Sequence, residues 1–460
     1  MRLVFRDVEV EGDLVDVAVT GATVTAVETG LPSGDVEIDG RGGALLPGLH
    51  DHHVHLLATA AHFASVDCSP EAVPDDAALA SALRADTHPD GWVRGVLYHE
   101  SVAGVLDRHR LDAWVPHRPV RIQHRSGSLW MLNSAAMTHV SGVLDDSGDV
   151  ERDNDGEPNG RLWRYDARLR DAFPARTPDL AALGTRLRDL GITGVTDATP
   201  DLSASSAGLL ADAVADGVLD IGVTLMGWDG APLPGLDIGP RKVLLRDHDL
   251  PTWDELAAMV RSAHDSGRPV GVHCVTVESL LLTLTVLEAV GPHPGDRIEH
   301  ASVVPEDVVP LLARSGVTVV TQPDFLRTRG DDYLREVDRR EVTDLYPHHR
   351  LLEAGIPTVA SSDAPYGALD PWQVIATATT RRSRSGHRVG VDQPISAVEA
   401  LAGYLSPPRA PGTAPRRVHP GAPADLCLLH LPLAEMLAEP GAQWVAGTMR
   451  TGRFRPCAER

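Results

Sequence analysis

Lysine is almost missing from this chain: of its 42 lysine and arginine residues only Lys242 is a lysine. A bias that strong, in a sequence also rich in Ala, Gly, Pro and Val, fits a GC-rich coding sequence that writes arginine wherever either cation will serve. The one surviving lysine therefore marks a candidate position where arginine cannot do the work. Cysteine is scarce as well, and Cys68, Cys274, Cys427 and Cys457 fall in no CxxC arrangement, which argues against a disulfide framework or a thiolate zinc site. No stretch of about 18 apolar residues occurs, so nothing reads as a membrane span. The opening MRLVFRDVEVEGD alternates apolar and charged residues, without the basic region, apolar run and cleavage site of a signal peptide, and a cytoplasmic location is expected. Positive charge is in deficit too: the formal charge of −22 disfavours a phosphate-tracking nucleic-acid binder, and the acidic residues are spread along the chain, where they keep it soluble.

A chain of 460 residues can bury a large core and suits one barrel with a smaller accessory domain. Residues 1–46 read as short strands (LVFRDVEV, VDVAVTGATVTAV, DVEIDG) punctuated by Gly and Asp. From about 406 a Pro/Gly-rich connector, SPPRAPGTAP, leads into strand-like ADLCLLHL and WVAGTMRTGRF. The two ends, 1–46 and 406–460, are expected to close one small β-sandwich domain. Between about 186 and 405, short apolar runs alternate with amphipathic helices, the cadence of parallel βαβ units. ITGVTDA, IGVTLMG, KVLLRD, PVGVHCV, RIEHA, VTVVTQ and PTVASSDA are seven strands, and LLPGLHDHHVH is the first of eight. In DELAAMVRSAHDSG, Leu256, Met259, Val260 and Ala263 recur at helical spacing before a Gly stop. Eight parallel units predict an α/β fold, a closed (β/α)8 TIM barrel over 47–405. Residues from about 57 to 185, with strand-like WVRGVLY and PVRIQH, break the cadence and read as an insertion after the first strand. An insertion there lies at the strand ends where such barrels carry their sites, and is expected to help choose the substrate. There is no internal repeat beyond the βα cadence and no low-complexity tract.

The residues able to carry chemistry fall at strand ends. His53 and His55 form an HxH pair, whose two-residue period points both rings to one side and lets them hold one metal. With 21 histidines about one such pair arises by chance, and His50 and His52 form a second that alternation turns the other way, towards the sheath. His273 ends PVGVHCV, His300 ends RIEHA and Asp363 ends PTVASSDA; singly, a histidine ending a strand is more often a hydrogen-bonded structural residue, and Asp363 reads alternatively as the N-cap of a following helix. Their spacing argues otherwise. Lys242 to His273 is 31 residues, His273 to His300 is 27 and His300 to Asp363 is 63, while a barrel of about 250 residues averages roughly 31 per unit. The four therefore occupy equivalent positions on the fourth, fifth, sixth and eighth strands and are expected to converge with His53 and His55. Four imidazoles, a carboxylate and a lysine are a ligand set for zinc or a similar divalent ion. Cys274 adjoins His273, but alternation turns it away from the axis.

The run PGLHDHHVHL resembles the PGxxDxHxH signature of the amidohydrolase superfamily, and RKVLLRD, GVHC, RIEHA and SSDAPYG resemble its fourth, fifth, sixth and eighth strands in order. The long insertion, the RIEHA…VTVVTQPDF run and SSDAPYG are most similar to the amidohydrolase 3 family, which includes N-substituted formamide deformylases; the likeness covers nearly the whole chain. It implies that His53 and His55 bind the more buried of two metals, that His273 and His300 bind the second, and that Asp363 binds the first and acts as general base. It also implies that Lys242 is carboxylated, its carbamate bridging the ions. A primary amine can take up carbon dioxide near neutrality, whereas a guanidinium stays protonated and unreactive, which accounts for the lysine that remains.

The expected activity is hydrolysis of a non-peptide, amide-like carbon–nitrogen bond in a small molecule. One or two divalent ions, zinc ahead of iron, manganese or nickel, bring the pKa of a bound water from about 15.7 toward 7, and Asp363 takes its proton and returns it to the departing nitrogen. Candidate substrate contacts are His124, Arg125, Trp130 and Arg161 in the insertion, Gln322 and Asp324 after the seventh strand, and Tyr366 after Asp363. The alternative within the superfamily is a mononuclear deaminase or a cyclic amidase. Deaminase sites place a glutamate shortly after the fifth-strand histidine and do not need the bridging lysine; here Glu278 lies five positions beyond His273 and Lys242 is present, which argues against a deaminase. A catalytically silent binding protein on the same scaffold is the reading from a different class; such relatives lose ligands, and all six are present. No nucleic-acid or membrane partner is expected, and a homodimer suits an enzyme of this size.

Overall fold

The computed structural model describes residues 1–170, 172, 173 and 176–457. They fall into two compact units, one of Met1–Leu56 with Leu180–Arg460, the other Leu57–Asp179.

The first unit is a mixed α/β fold whose parallel strands follow the apolar runs of the sequence. They are β1 (Leu49–Val54), β2 (Ile192–Asp197), β3 (Gly222–Leu225), β4 (Leu236–Ile238), β5 (Arg241–Leu244), β6 (Val270–Cys274), β7 (Arg297–His300), β8 (Thr318–Thr321) and β9 (Thr358–Ala360). Pairing yields a sheet of β4-β3-β2-β1 and a second of β5-β6-β7-β8-β9, all parallel. These are two sheets and not one continuous ladder: the pairing breaks in the fourth-strand region, around Gly239–Pro240, and again between β9 and β1. Proline has no N–H to donate, and the segments on either side take different neighbours, β4 pairing with β3 and β5 with β6. Backbone hydrogen bonds also join the sheet edges: Lys242 N donates to Met226 O at 3.1 Å, and at the other side Asp363 N donates to His53 O (2.8 Å) and His55 N to Ala364 O (2.9 Å).

Alternation along these strands separates two environments. Val243, Val272, Ile298 and Val319 face outward into a core completed by helices α1 (Trp253–Asp265) and α2 (Val277–Val290). Both helices start at capping boxes, Thr252 with Glu255 and Thr276 with Ser279, which fixes where each turns away from its strand. In α1 the buried stripe is Leu256, Ala257, Val260 and Ala263. Met259, expected in that stripe, is 42% exposed; the stripe centres between the azimuths of Leu256 and Ala257, and at 100° per residue Met259 falls off its edge. The opposite, inward strand face carries Lys242, Gly271, His273, Arg297 and Glu299.

The two ends of the chain meet in the same unit. One four-stranded sheet runs in the order Thr23–Glu28, Asp13–Thr20, Arg2–Val10, Val36–Asp39, and another in the order Arg453–Pro456, Val445–Arg450, Leu426–Leu429, Leu45–Pro47. Phe5, Val17 and Val24 share a core with Leu45, Leu426 and Met449. The run LLPGLHDHHVH is thus divided: Leu45–Pro47 joins the terminal strands and only the part from Leu49 joins the parallel sheet.

The second unit is built on a six-stranded sheet ordered Val150–Arg152, Pro158–Trp163, Leu129–Leu132, Val120–His124, Val93–Tyr98, Val66–Asp67. Leu79, Leu83, Val93, Val120 and Ile122 fill one of its cores, and Trp92, Trp130, Leu162 and Tyr165 another. Among the described residues no helix is long and apolar enough to cross a membrane.

Gly271 is where the inward face of β6 has no room for a side chain: a Cβ there would lie 2.2 Å from Met226 Cε and 2.9 Å from Glu299 Oε1. Gly271→Val is expected to destabilise the protein by about 1–3 kcal/mol through overpacking, read as a lower urea midpoint. An unchanged midpoint would show that this interior layer is loosely packed.

Candidate metal centre

Strand β1 is buried along its whole length, and its two faces do different work. His50 and His52 serve the sheath: His50 Nε2 lies 2.9 Å from Thr196 Oγ1, and His52 Nε2 lies 3.0 Å from Ser406 Oγ and 3.2 Å from Gly403 O. On the other face Asp51 ties the strand to the segment after β9, its Oδ1 accepting from the backbone N–H groups of His53 (3.1 Å) and Ser362 (3.3 Å). Burial pushes the Asp51 carboxyl up to about 6.

These ties bring Asp363 against the HxH pair. Asp363 Oδ1 lies 3.1 Å from His55 Nε2 and 3.5 Å from His53 Nε2, and the three residues offer ligand atoms within 4.8 Å of one another. Lys242 Nζ sits 3.4 Å from His53 Nε2. The His273 and His300 rings are perpendicular, 4.3 Å apart between centroids, and the His300 ring is 4.9 Å from that of His53. His300 Nδ1 is 3.9 Å from Asp363 Oδ2. All six residues singled out in the sequence thus lie in one cluster in the first unit.

The electrostatics suit a cation. Burial holds the His53 and His300 imidazoles well below their ordinary range, that of His273 at about 3, and lowers the Lys242 ammonium. Three imidazoles are therefore neutral, with lone pairs available. Asp363 Oδ1 is buried and accepts no hydrogen bond, a costly state for a carboxylate oxygen unless a cation shares it. The donor set thus fits a divalent ion of the zinc type.

Three of the four rings are oriented from behind. His53 Nδ1 is 2.5 Å from Glu299 Oε2, His55 Nδ1 is 3.3 Å from Thr199 Oγ1, and His300 Nδ1 is 2.7 Å from Gln322 Oε1. Thr199 is itself set by Asp197, whose Oδ1 accepts from Thr199 N and whose Oδ2 accepts from Leu56 N. Glu299 is paired in turn with Arg297, and both are buried. Sequence reasoning passed over Arg297 and Glu299 although RIEHA contains them; their two-residue spacing on one strand face was the available signal. It also needs the backbone to see why the adjacent Glu299 and His300 both face the site. His300 and Ala301 adopt φ of 72° and 46°, a left-handed turn that swings His300 off the alternation.

The other candidates are placed as follows. Gln322 is fully buried and committed: beyond His300, its Nε2 donates to Val320 O and Ser361 Oγ. Asp324 accepts from Arg327, Ala368 N and Thr377. The Tyr366 ring stands perpendicular to His55 at 5.7 Å. His124, Arg125, Trp130 and Arg161 belong to the second unit. There His124 Nε2 lies 3.0 Å from Glu100, Arg125 N donates to Tyr98 O, Trp130 Nε1 donates to Asp166, and Arg161 is bound to Glu151 and Leu106 O. Cys274 packs outward, its Sγ 3.4 Å from Thr283 Oγ1 on α2.

Comparison with known proteins matches residues 36–454 to the amidohydrolase family. An N-substituted formamide deformylase of Arthrobacter pascens is 26% identical over 466 residues, covering 86% of each chain. Among solved structures, an uncharacterized metal-dependent hydrolase from Pyrococcus horikoshii OT3 superposes with a TM-score of 0.69 at 19% identity, covering 88% of this chain and 92% of that one. An atrazine chlorohydrolase from Arthrobacter aurescens TC1, complexed with zinc and atraton, superposes with a TM-score of 0.55 at 17% identity, covering 100% of this chain and 96% of its own.

The unpaired Asp363 oxygen generates a prediction about stability. In metal-free protein Asp363→Asn removes a buried charge and supplies an N–H that can donate to an imidazole, so the variant is expected to melt higher than metal-free wild type, by about 1 kcal/mol or more. Scanning calorimetry in chelator checks this; a lower melting temperature would mean that the carboxylate already has a compensating partner.

Proposed function

The chain belongs to the amidohydrolase family, and from that premise we propose that it hydrolyses a non-peptide, amide-type carbon–nitrogen bond in a small molecule. The observation that carries the reading is the buried, unpaired Asp363 Oδ1 facing the Nε2 atoms of His53 and His55. The name of the Arthrobacter pascens relative puts N-substituted formamides first among the amides to try. Zinc is favoured by the imidazole-rich donor set and by the zinc in the atrazine chlorohydrolase structure.

We read the two parallel sheets as one (β/α)8 barrel, with β4 and β5 as halves of its fourth strand, supported by the backbone hydrogen bonds at both sheet edges. The terminal sheets are read as a β-sandwich. In this arrangement His53, His55 and Asp363 would hold one ion and His273 and His300 a second, with a carboxylated Lys242 as a ligand shared by both. When bound, such ions supply Lewis-acid chemistry, making water acidic enough to attack at neutral pH and stabilising negative charge on a carbonyl oxygen. The protein does the rest. Asp363 Oδ1 faces the imidazoles, which leaves Oδ2 to take a proton from the attacking water and pass it to the departing nitrogen. The burial that keeps His53, His273 and His300 unprotonated keeps them ligands, and Tyr366 offers a flat apolar wall beside His55.

Metal content by plasma mass spectrometry, on protein purified in bicarbonate without added metal, tests this first. About two ions per chain, falling to one or none in Lys242→Ala, is expected. Turnover of N-substituted formamides, simple amides or cyclic ureas should disappear on chelation and return with zinc. Wild-type protein that holds no metal even after reconstitution would sink the proposal.

A further inference from the structure

The three histidines with ring partners are backed by different chemistry. Behind His53 stands a carboxylate, Glu299; behind His55 a hydroxyl, Thr199; behind His300 a neutral amide, Gln322. The Glu299 contact is also the shortest of the three, at 2.5 Å against 3.3 and 2.7 Å. Glu299 and His53 are completely buried. Arg297 Nε bonds the other Glu299 oxygen while its NH2 donates to His52 O at 2.9 Å and approaches Met226 Sδ. Guanidinium, carboxylate, imidazole and the backbone of β1 therefore form one connected chain, whereas the chain behind His300, through Gln322 and Ser361 to Thr321 O, is made of neutral groups. A histidine that gives its second N–H to a carboxylate is a more basic and better-oriented ligand than one that gives it to a neutral acceptor.

Resting on the two-ion reading above, we propose that the two metal positions are unequal by construction: Glu299, acting through His53 Nδ1, makes the His53/His55/Asp363 position the tighter one. Glu299 is a positioning residue and does not touch the metal. At limiting metal the protein fills this position first and exists in a single-ion form, and the His273/His300 position loads second. The sharing of a bridging lysine does not remove the inequality, because it serves both positions alike.

The test is zinc binding to the full-length, metal-free protein, measured in competition with a chromophoric chelator, which reads affinity without any turnover. Wild type is expected to load in two steps. Glu299→Gln alone leaves the buried Arg297 without its partner and risks unfolding, so the paired substitution Arg297→Met with Glu299→Gln is the informative variant, since it removes both charges together. In it the first step should weaken by about 10–100-fold while the second step stays where it was, and its metal-free circular dichroism should match wild type. A variant whose first step is as tight as in wild type overturns the proposal, as does a wild type whose two steps have equal affinity. A wild type that binds no zinc at all instead overturns the metal-dependent reading on which the proposal rests.

Discussion

Two buried charges face each other in the interior of the parallel strands, the Arg297 guanidinium and the Glu299 carboxylate, and the free side of that carboxylate holds the His53 ring. Taking such ions out of water costs several kcal/mol each, and the attraction between them offsets this only while both are present and their remaining donors and acceptors are satisfied. That condition is met here by His53, by the carbonyl of His52 and by the sulfur of Met226. An apolar pair of the same volume would pack as well. What it could not do is set which nitrogen of His53 turns toward Asp363, so the pair is better understood as serving the site than as serving stability.

The rest of the site depends on the same logic of backing each functional group from behind. Asp51 accepts the N–H groups of His53 and Ser362, which lie more than 300 positions apart in the chain, and so sets the distance between β1 and the segment carrying Asp363. Asp197 fixes Thr199, and Thr199 fixes His55. Gln322 has all its capacity engaged between His300, Val320 and Ser361. Such fixed donors cost little reorganisation when charge develops, which is what a hydrolytic site requires. Asp363 Oδ1, by contrast, is buried and accepts no hydrogen bond, and Asp51 Oδ2 is likewise without one.

Much of this was legible in the pattern of residues. The parallel strands could be placed because their outward faces are apolar runs bounded by Gly, Asp and Pro, and the near-regular length of βα units pointed to Lys242, His273, His300 and Asp363, although Lys242 is the second residue of β5 and lies in register with Gly271 rather than with His273. The lone lysine stood out because every other cation had become arginine. The resemblance of PGLHDHHVHL and its companion segments was enough to name the family. Smaller features escaped for local reasons. Met259 lies beside the stripe of its helix, where a thioether looks apolar in sequence but faces water. Gln322, a reasonable substrate contact by position, is occupied by hydrogen bonds that only three dimensions bring within reach.

Periodicity and unit length, both properties of the covalent chain, thus carried the mixed α/β class and pointed to the candidate ligands. Three matters were settled by tertiary structure alone. The left-handed turn at His300 and Ala301 places two consecutive side chains on one face, which no two-residue period anticipates. The strand ladder is divided in two places, around Gly239–Pro240 and between β9 and β1, which the run of apolar segments does not mark. The Arg297–Glu299–His53 chain joins strands whose Glu299 and His53 lie 246 positions apart, and burial is what makes its charges matter: in water the same three side chains would be screened and free, whereas in the interior each must be answered by another.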